Sequence, residues 1–160
     1  MAETGVDERK QLPNTGVGVI VTHPDYPNRV LLGIRKGSTG EGLYAFPVGH
    51  LKFGEYWEDC GIRETLKETG LKLKNVFYAT VVNAIEEQVE KYHYVTLLIV
   101  QEVDASYKQC KQETENLEPK KCSEWQWVDW DDFPPLSKLF YGLRILREEN
   151  EYNPFKKKSG

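Results

Sequence analysis

The stretch GHLKFGEYWEDCGIRETLKETGL, residues 49–71, decides how this chain is read. Phe53-Gly54-Glu55 reads as a loop, Tyr56 to Thr69 as a helix and Gly70 as its stop. Glu64 and Glu68 stand four apart, so on a helix they share a face, one turn above the other. Two stacked carboxylates repel unless each has its own cation. A divalent metal removes that cost, and Mg²⁺ favours one or two carboxylates together with phosphate oxygens and water. Lys67 lies beside the pair, and Asp59 and Arg63 are spaced to interact along the helix surface. A solvated helix face is the plainer reading of Glu64 and Glu68, and spacing alone leaves both readings open.

Outward from this stretch the chain alternates extended and helical signals. Gly16–Thr22 is a β-branched run, the turn 23–28 is rich in Pro, Asp and Asn, and Val30–Arg35 is a second strand, so the two predict a hairpin. Lys36–Gly42 is a loop that lacks the order of a Walker phosphate loop, and Leu43–Pro47 is a short extended piece. Beyond the helix, Leu73–Asn83 and Tyr92–Glu102 predict strands joined by the charged segment 85–91. Residues 104–121 form a long loop of the kind that is often functional. Trp125–Trp130 alternates as a strand, with Trp125, Trp127 and Asp129 on one face. Pro134-Pro135 opens an amphipathic helix carrying Leu136, Leu139, Phe140, Leu143 and Leu146. By themselves these periodicities predict a mixed α and β domain.

Composition narrows the function. A chain of 160 residues, 39% apolar and 29% charged, suits one soluble domain with a real core. Its net charge of −4 gives no reason to expect a long nucleic acid as partner. No apolar run reaches the roughly 20 residues that a membrane helix needs, and the polar first residues lack a secretion signal. Cys60, Cys110 and Cys122 are odd in number and lack CxxC spacing, which favours a reducing, cytoplasmic setting over a zinc site.

The order Gly49, Glu55, Arg63-Glu64, Glu68 and Gly70-Leu71 resembles the Nudix box, the signature of hydrolases that cut nucleoside diphosphates linked to another group. Two positions depart from it. Thr65 stands where an aliphatic residue is usual, and Lys67 where the box carries the first Glu of an adjacent pair, usually a metal ligand. Further pieces, among them 31–42, 46–55, 92–96, 116–127 and 134–143, resemble the MutT-like branch. Within that branch they are similar to the mammalian diphosphatases of thiopurine and other nucleoside triphosphates, from about Gly16 to Phe155. The resemblance implies a Nudix fold, an α/β/α sandwich with a mixed β-sheet. A single domain over 15–155 would lie between flexible tails at 1–14 and 156–160. It also implies a cytoplasmic homodimer that hydrolyses nucleoside triphosphates, modified ones included, to monophosphate and pyrophosphate with Mg²⁺, or alternatively Mn²⁺.

Site residues follow from the same resemblance. Glu64 and Glu68 would be metal ligands or water-orienting bases, with the carbonyl of Gly49 a further ligand, and Glu55 with Arg63 a structural ion pair. Arg35 would reach phosphates or be a surface charge, and His50 would contact the triphosphate or pack in the core. Phe46, Thr96, Tyr141 and Gly142 would line the base pocket, with core packing the alternative for Phe46 and Tyr141. Glu118 would be an additional metal ligand or base contact. Lys52, Lys67 and Lys120 occupy positions that are acidic in the relatives, and Val48 one that is small, beside the phosphates. An inward ammonium would repel a divalent ion, so these changes predict weakened catalysis. Two alternatives remain: an impaired domain that binds a nucleotide or a protein partner, and a hydrolase of a non-nucleotide diphosphate, such as a prenyl diphosphate, or of a capped RNA end.

Overall fold

Both edges of the first strand are taken, and this determines the layout. In the computed structural model, which describes residues 12–105, 116–149 and 152–156, β1 (Asn14–Thr22) pairs in parallel with β6 (Tyr92–Val103) and antiparallel with β4 (Val48–His50). β5 (Leu73–Glu86) adds antiparallel to β6, giving a four-stranded mixed sheet in the order β4-β1-β6-β5. A second, antiparallel sheet has β2 (Arg29–Ile34) between β3 (Tyr44–Ala45) and β7 (Gln126–Asp129). The predicted β1–β2 hairpin is therefore not formed. The turn closes locally through Tyr26 N–H to His23 O, but β4 and β6 already hold the hydrogen-bonding groups of β1, so β2 passes into the other sheet.

Alternation along β1 separates two cores. Val17, Val19 and Val21 pack with Leu31, Cys60, Leu71, Ile99 and Val103 beneath α1 (Trp57–Thr69). Ile20 points the other way and packs with Val30, Leu32, Leu98, Leu143 and Leu146, the last two from α2 (Tyr141–Glu148). Helices thus cover opposite faces of the strands, the α/β/α arrangement expected. Gly61 lets α1 lie close to the sheet: a Cβ there would come within 2.5 Å of Gln101 Oε1 and 2.7 Å of Ile99 Cδ1. Gly70, at φ 75°, ends the helix in the left-handed conformation, its N–H bonded to Leu66 O.

Several boundaries differ from expectation. Asn14, assigned to the tail, opens β1 and pairs with Tyr94. β5 runs on to Glu86, whose carboxylate accepts the N–H groups of Gln88 and Val89 and closes the turn. Pro134-Pro135 does not open the long helix. Pro135 precedes a single 3₁₀ turn, Leu136–Lys138. Leu139 then extends to bridge Tyr44, and Phe140 N–H bonds Tyr44 O at 2.8 Å, so α2 starts only at Tyr141. Pairing with β3 overrides helical periodicity there. Trp125 precedes β7 but packs with Trp127 against the α1-side core. Cys110 and the outer parts of both predicted tails lie outside the described residues. No helix among the described residues is long and apolar enough to cross a membrane.

Candidate active site

A cavity of about 870 Å³ opens where the end of β4, the inner face of α1, the β2–β3 loop and the segment 116–122 meet. Gly49 sits on β4 opposite Val17, and Glu64 reaches back from α1 to pack its side chain directly on Gly49, with no room for a Cβ between them. Arg63 locks this junction. Its Nε donates to Glu55 Oε2 at 2.8 Å, and Nη2 donates to Glu55 Oε1 at 2.9 Å and to His50 O at 3.1 Å, while Nη1 donates to Glu64 Oε1. Glu55 also accepts the N–H of Lys52 at 3.1 Å. The Arg63 guanidinium holds the Glu55 carboxyl at about 2, well below its ordinary 4.5. A charged fork thus fixes the loop before α1 to the helix.

Glu68 lies one turn further on and has no such partner. Among the described residues its Oε2 is buried without a hydrogen bond. Burial first, then the charges of Glu64 and Glu118, push its carboxyl up to about 8. A buried carboxylate oxygen without a donor is the natural seat of a cation or a proton. The two carboxylates and the Gly49 main chain line one cavity. No three His, Cys, Asp or Glu side chains group into a cage among the described residues. This donor set of a few hard oxygens fits Mg²⁺, which keeps waters and takes its remaining ligands from phosphate, and does not resemble a closed zinc site.

Lys67 has a carboxylate partner other than those two. Its ammonium pairs with Glu118 at 3.6 Å, and Lys121 reaches the other Glu118 oxygen at 3.8 Å. Leu117 N–H bonds Glu68 O at 3.2 Å, so segment 116–122 is tied to α1 by both backbone and charge. Val48 is a regular β4 residue paired with Gly18, a position that suits a β-branched side chain, so no glycine conformation is lost there.

Most of the predicted substrate residues line the cavity: Arg35, Phe46, His50, Thr96 and Gly142, with Val48, Lys52, Lys67, Glu118 and Lys120. Arg35 donates to Thr39 O at 2.7 Å and lies over the Phe140 ring at 4.2 Å, so it is held at the wall and is not a free surface charge. His50 Nε2 lies 3.0 Å from Tyr94 Oη and is exposed to the cavity, not packed in the core. Phe46 serves both readings, buried in the α2-side core and present at the cavity wall. Tyr141 does not line the cavity. It is buried among Ala45, Ala84 and Phe140, and its hydroxyl donates to Glu90 Oε1 at 2.7 Å. Sequence reasoning passed over Tyr92 and Tyr94, whose rings stack at 4.7 Å on the cavity wall. Two tyrosines two apart on a strand share a face, and that signal was available. Burial keeps the thiols of Cys60 and Cys122 at about 11, so neither is a nucleophile at neutral pH.

A family model described as NUDIX domain matches residues 12–148. Solved structures share the fold. A MutT NUDIX hydrolase from Burkholderia pseudomallei is 24% identical with a TM-score of 0.71, over 86% of this chain and 98% of that one. The NUDIX domain of Shewanella oneidensis NrtR, solved with ADP ribose, is 16% identical with a TM-score of 0.64, over 92% and 93%. A NUDIX hydrolase from Nitrosomonas europaea is 19% identical with a TM-score of 0.58, over 87% and 72%.

Proposed function

This chain belongs to the Nudix domain family, whose members generally hydrolyse nucleoside diphosphate derivatives, and from that premise we propose that it is a Mg²⁺-dependent nucleoside triphosphate pyrophosphohydrolase. The carrying observation is the buried, unpartnered Oε2 of Glu68 beside Glu64 and Gly49. Glu64, Glu68 and the Gly49 carbonyl would hold the ion, which when bound neutralises phosphate charge and acidifies water. Arg63 keeps Glu64 in place through its fork to Glu55. Glu68, which lines the cavity beside Glu64, would take the proton of the attacking water. The water oxygen joins phosphorus, the bridging P–O bond breaks, and monophosphate and pyrophosphate leave. Arg35 and His50 bind phosphate oxygens, and the stacked Tyr92 and Tyr94 with Phe46 and Thr96 offer a mostly apolar wall to a base.

The Lys67–Glu118 pair supports retained activity, because the ammonium already has a carboxylate partner other than Glu64 and Glu68. The test is pyrophosphate release from a panel of canonical and modified nucleoside triphosphates with Mg²⁺ or Mn²⁺. We expect wild-type turnover that falls at least a hundredfold in Glu64→Gln, the size of a lost catalytic group. Absence of wild-type turnover with gain in Lys67→Glu would replace this reading with a nucleotide-binding domain. Silence from both would point to a non-nucleotide diphosphate.

The cytoplasmic, homodimeric state belongs to the same proposal. β5 is a sheet edge that exposes Phe77, Tyr78 and Ile85, with Trp57 of α1 against Tyr78 at 5.8 Å. A long apolar edge of this kind needs a cover. Sedimentation velocity should give a dimer at micromolar concentration, and a monomer throughout would reject it.

A further inference from the structure

Three lysines from two parts of the chain share a place. Lys52, Lys67 and Lys120 all line the cavity, together with Arg35, Lys36, Arg63 and Lys121. Among the described residues, three carboxylates, Glu64, Glu68 and Glu118, stand against these seven cations. The described lining is therefore net positive in a chain of net charge −4, a concentration of one sign that selects an anion. Arg63 is committed to Glu55 and Glu64, and Lys67 and Lys121 share Glu118. Among the described residues, Lys36, Lys52 and Lys120 have no ion-pair partner.

Four of the cations form one lip. Arg35 bridges Cys122, and Lys36 N–H bonds Lys121 O at 2.8 Å, so residues 35–36 run antiparallel to 121–122. The backbone of Gly37 passes close to the Lys120 carbonyl. Arg35, Lys36, Lys120 and Lys121 are thus gathered on two short paired segments, with the hydroxyls of Ser38 and Thr39 lining the same wall. Among the described residues Glu118 is the single carboxylate there, and Lys67 joins the lip through it. Lys36, Lys120 and Lys121 lie on chain segments other than the Gly49–Glu68 stretch that would hold the chain being cut, and Arg35 is shared between the two. Gathering like charges costs folding free energy, and lysine ammoniums answer a compact dianion as point charges.

We infer that this lip is a second phosphate-binding subsite, and that the preferred ligand carries a phosphomonoester apart from its diphosphate or triphosphate chain. The inference rests on the reading of the cavity as the substrate site, and it deepens that reading by naming the ligand's charge pattern. NAD⁺ and NADP⁺ differ by one such group, and ATP and adenosine 5′-tetraphosphate differ only in chain length, so these four are the probes. Binding is measured by calorimetry in EDTA, where no divalent ion supports turnover. NADP⁺ should bind roughly tenfold tighter than NAD⁺, the scale of one charge-assisted hydrogen bond. That ratio should fall to about twofold or less in Lys36→Ala/Lys120→Ala. The single variants take its place if the melting curve shows that the double variant does not fold. Equal affinities for NAD⁺ and NADP⁺ overturn the proposal. A preference for the tetraphosphate without one for NADP⁺ overturns it too, because the cations then read chain length. So does a preference that survives the substitutions. Failure of pyrophosphate release leaves the NADP⁺/NAD⁺ ratio readable, so the two readings fail separately.

Discussion

Replacing Glu68 with glutamine is expected to stabilise the metal-free protein at pH 8 while removing its hydrolytic activity. In the fold the carboxyl sits at about 8, against an ordinary 4.5, because burial and the charges of Glu64 and Glu118 oppose ionisation. The folded chain therefore holds this proton where the unfolded chain has lost it. Stability contributed by the neutral form is complete below pH 4.5 and is lost as pH rises from there toward 8. At about 1.4 kcal/mol per pH unit the loss is on the order of 4 kcal/mol by pH 8. Glutamine keeps the volume and removes the charge, but leaves a buried amide short of partners, which takes back about 1–3 kcal/mol. A net gain of about 1–3 kcal/mol remains, a rise in Tm of roughly 2–10 °C for a chain of this size. At pH 4.5 that gain disappears. Turnover, which needs the carboxylate, should fall by roughly 10²–10⁴-fold. Mg²⁺ should raise the wild-type Tm at pH 8, with proton release on binding, and should not raise that of Glu68→Gln. Melting curves in EDTA between pH 4.5 and 8 decide the matter: a wild-type Tm that does not move relative to Glu68→Gln would sink the assignment. A stabilised but inactive variant is the signature of a group strained for function.

The helix and its carboxylate pair could be read from sequence because their geometry is local. A four-residue spacing puts Glu64 and Glu68 on one helix face whatever surrounds them, and Gly70 stops the helix by its own backbone freedom. The elements that were misread depend on competition between distant groups. Whether β1 pairs with β2 is settled by β4 and β6, which occupy both edges of β1. Whether the helix starts at Pro135 or Tyr141 is settled by Tyr44, which draws Leu139 and Phe140 into extended pairing. The direction of Lys67 shows the same limit at the site. Sequence places an ammonium beside two carboxylates and predicts repulsion of a metal, while Glu118, fifty-one residues away, supplies the partner that engages it. For Tyr141 the sequence leaves base pocket and core packing both open, and what holds the side chain in the core is distant: its hydroxyl donates to Glu90, which also receives Gly40 N–H at 3.0 Å. Val48, at a position that the resemblance marks as small, is an ordinary strand residue paired with Gly18.

Substituting Gly49 by alanine should disable the site with only a modest loss of stability. The φ of Gly49 is not positive, so the backbone itself accepts a side chain. The obstruction is Glu64, whose Cγ and Cδ occupy the place of the added Cβ. Glu64 cannot simply swing away, because Arg63 Nη1 holds its carboxylate and the same guanidinium is bonded to Glu55 and to His50 O. Either β4 and α1 separate, or the fork breaks. An overpacked contact of this kind costs about 1–3 kcal/mol, small against the 5–15 kcal/mol that keeps a domain folded. The protein stays folded at 25 °C, and the loss of activity has to come from displaced ligands. A displacement of about 1 Å is enough for roughly a hundredfold. Measured kcat should therefore drop at least that far, with the Mg²⁺-induced rise in Tm diminished in parallel. Gly54→Ala separates this effect from backbone strain. Gly54 has φ 80° and nothing within 4 Å of an added Cβ, so alanine there strains the chain by about 1–2 kcal/mol without touching Glu64. If Gly49→Ala keeps kcat within threefold of wild type, Glu64 does not hold the metal ion from the place the structure gives it.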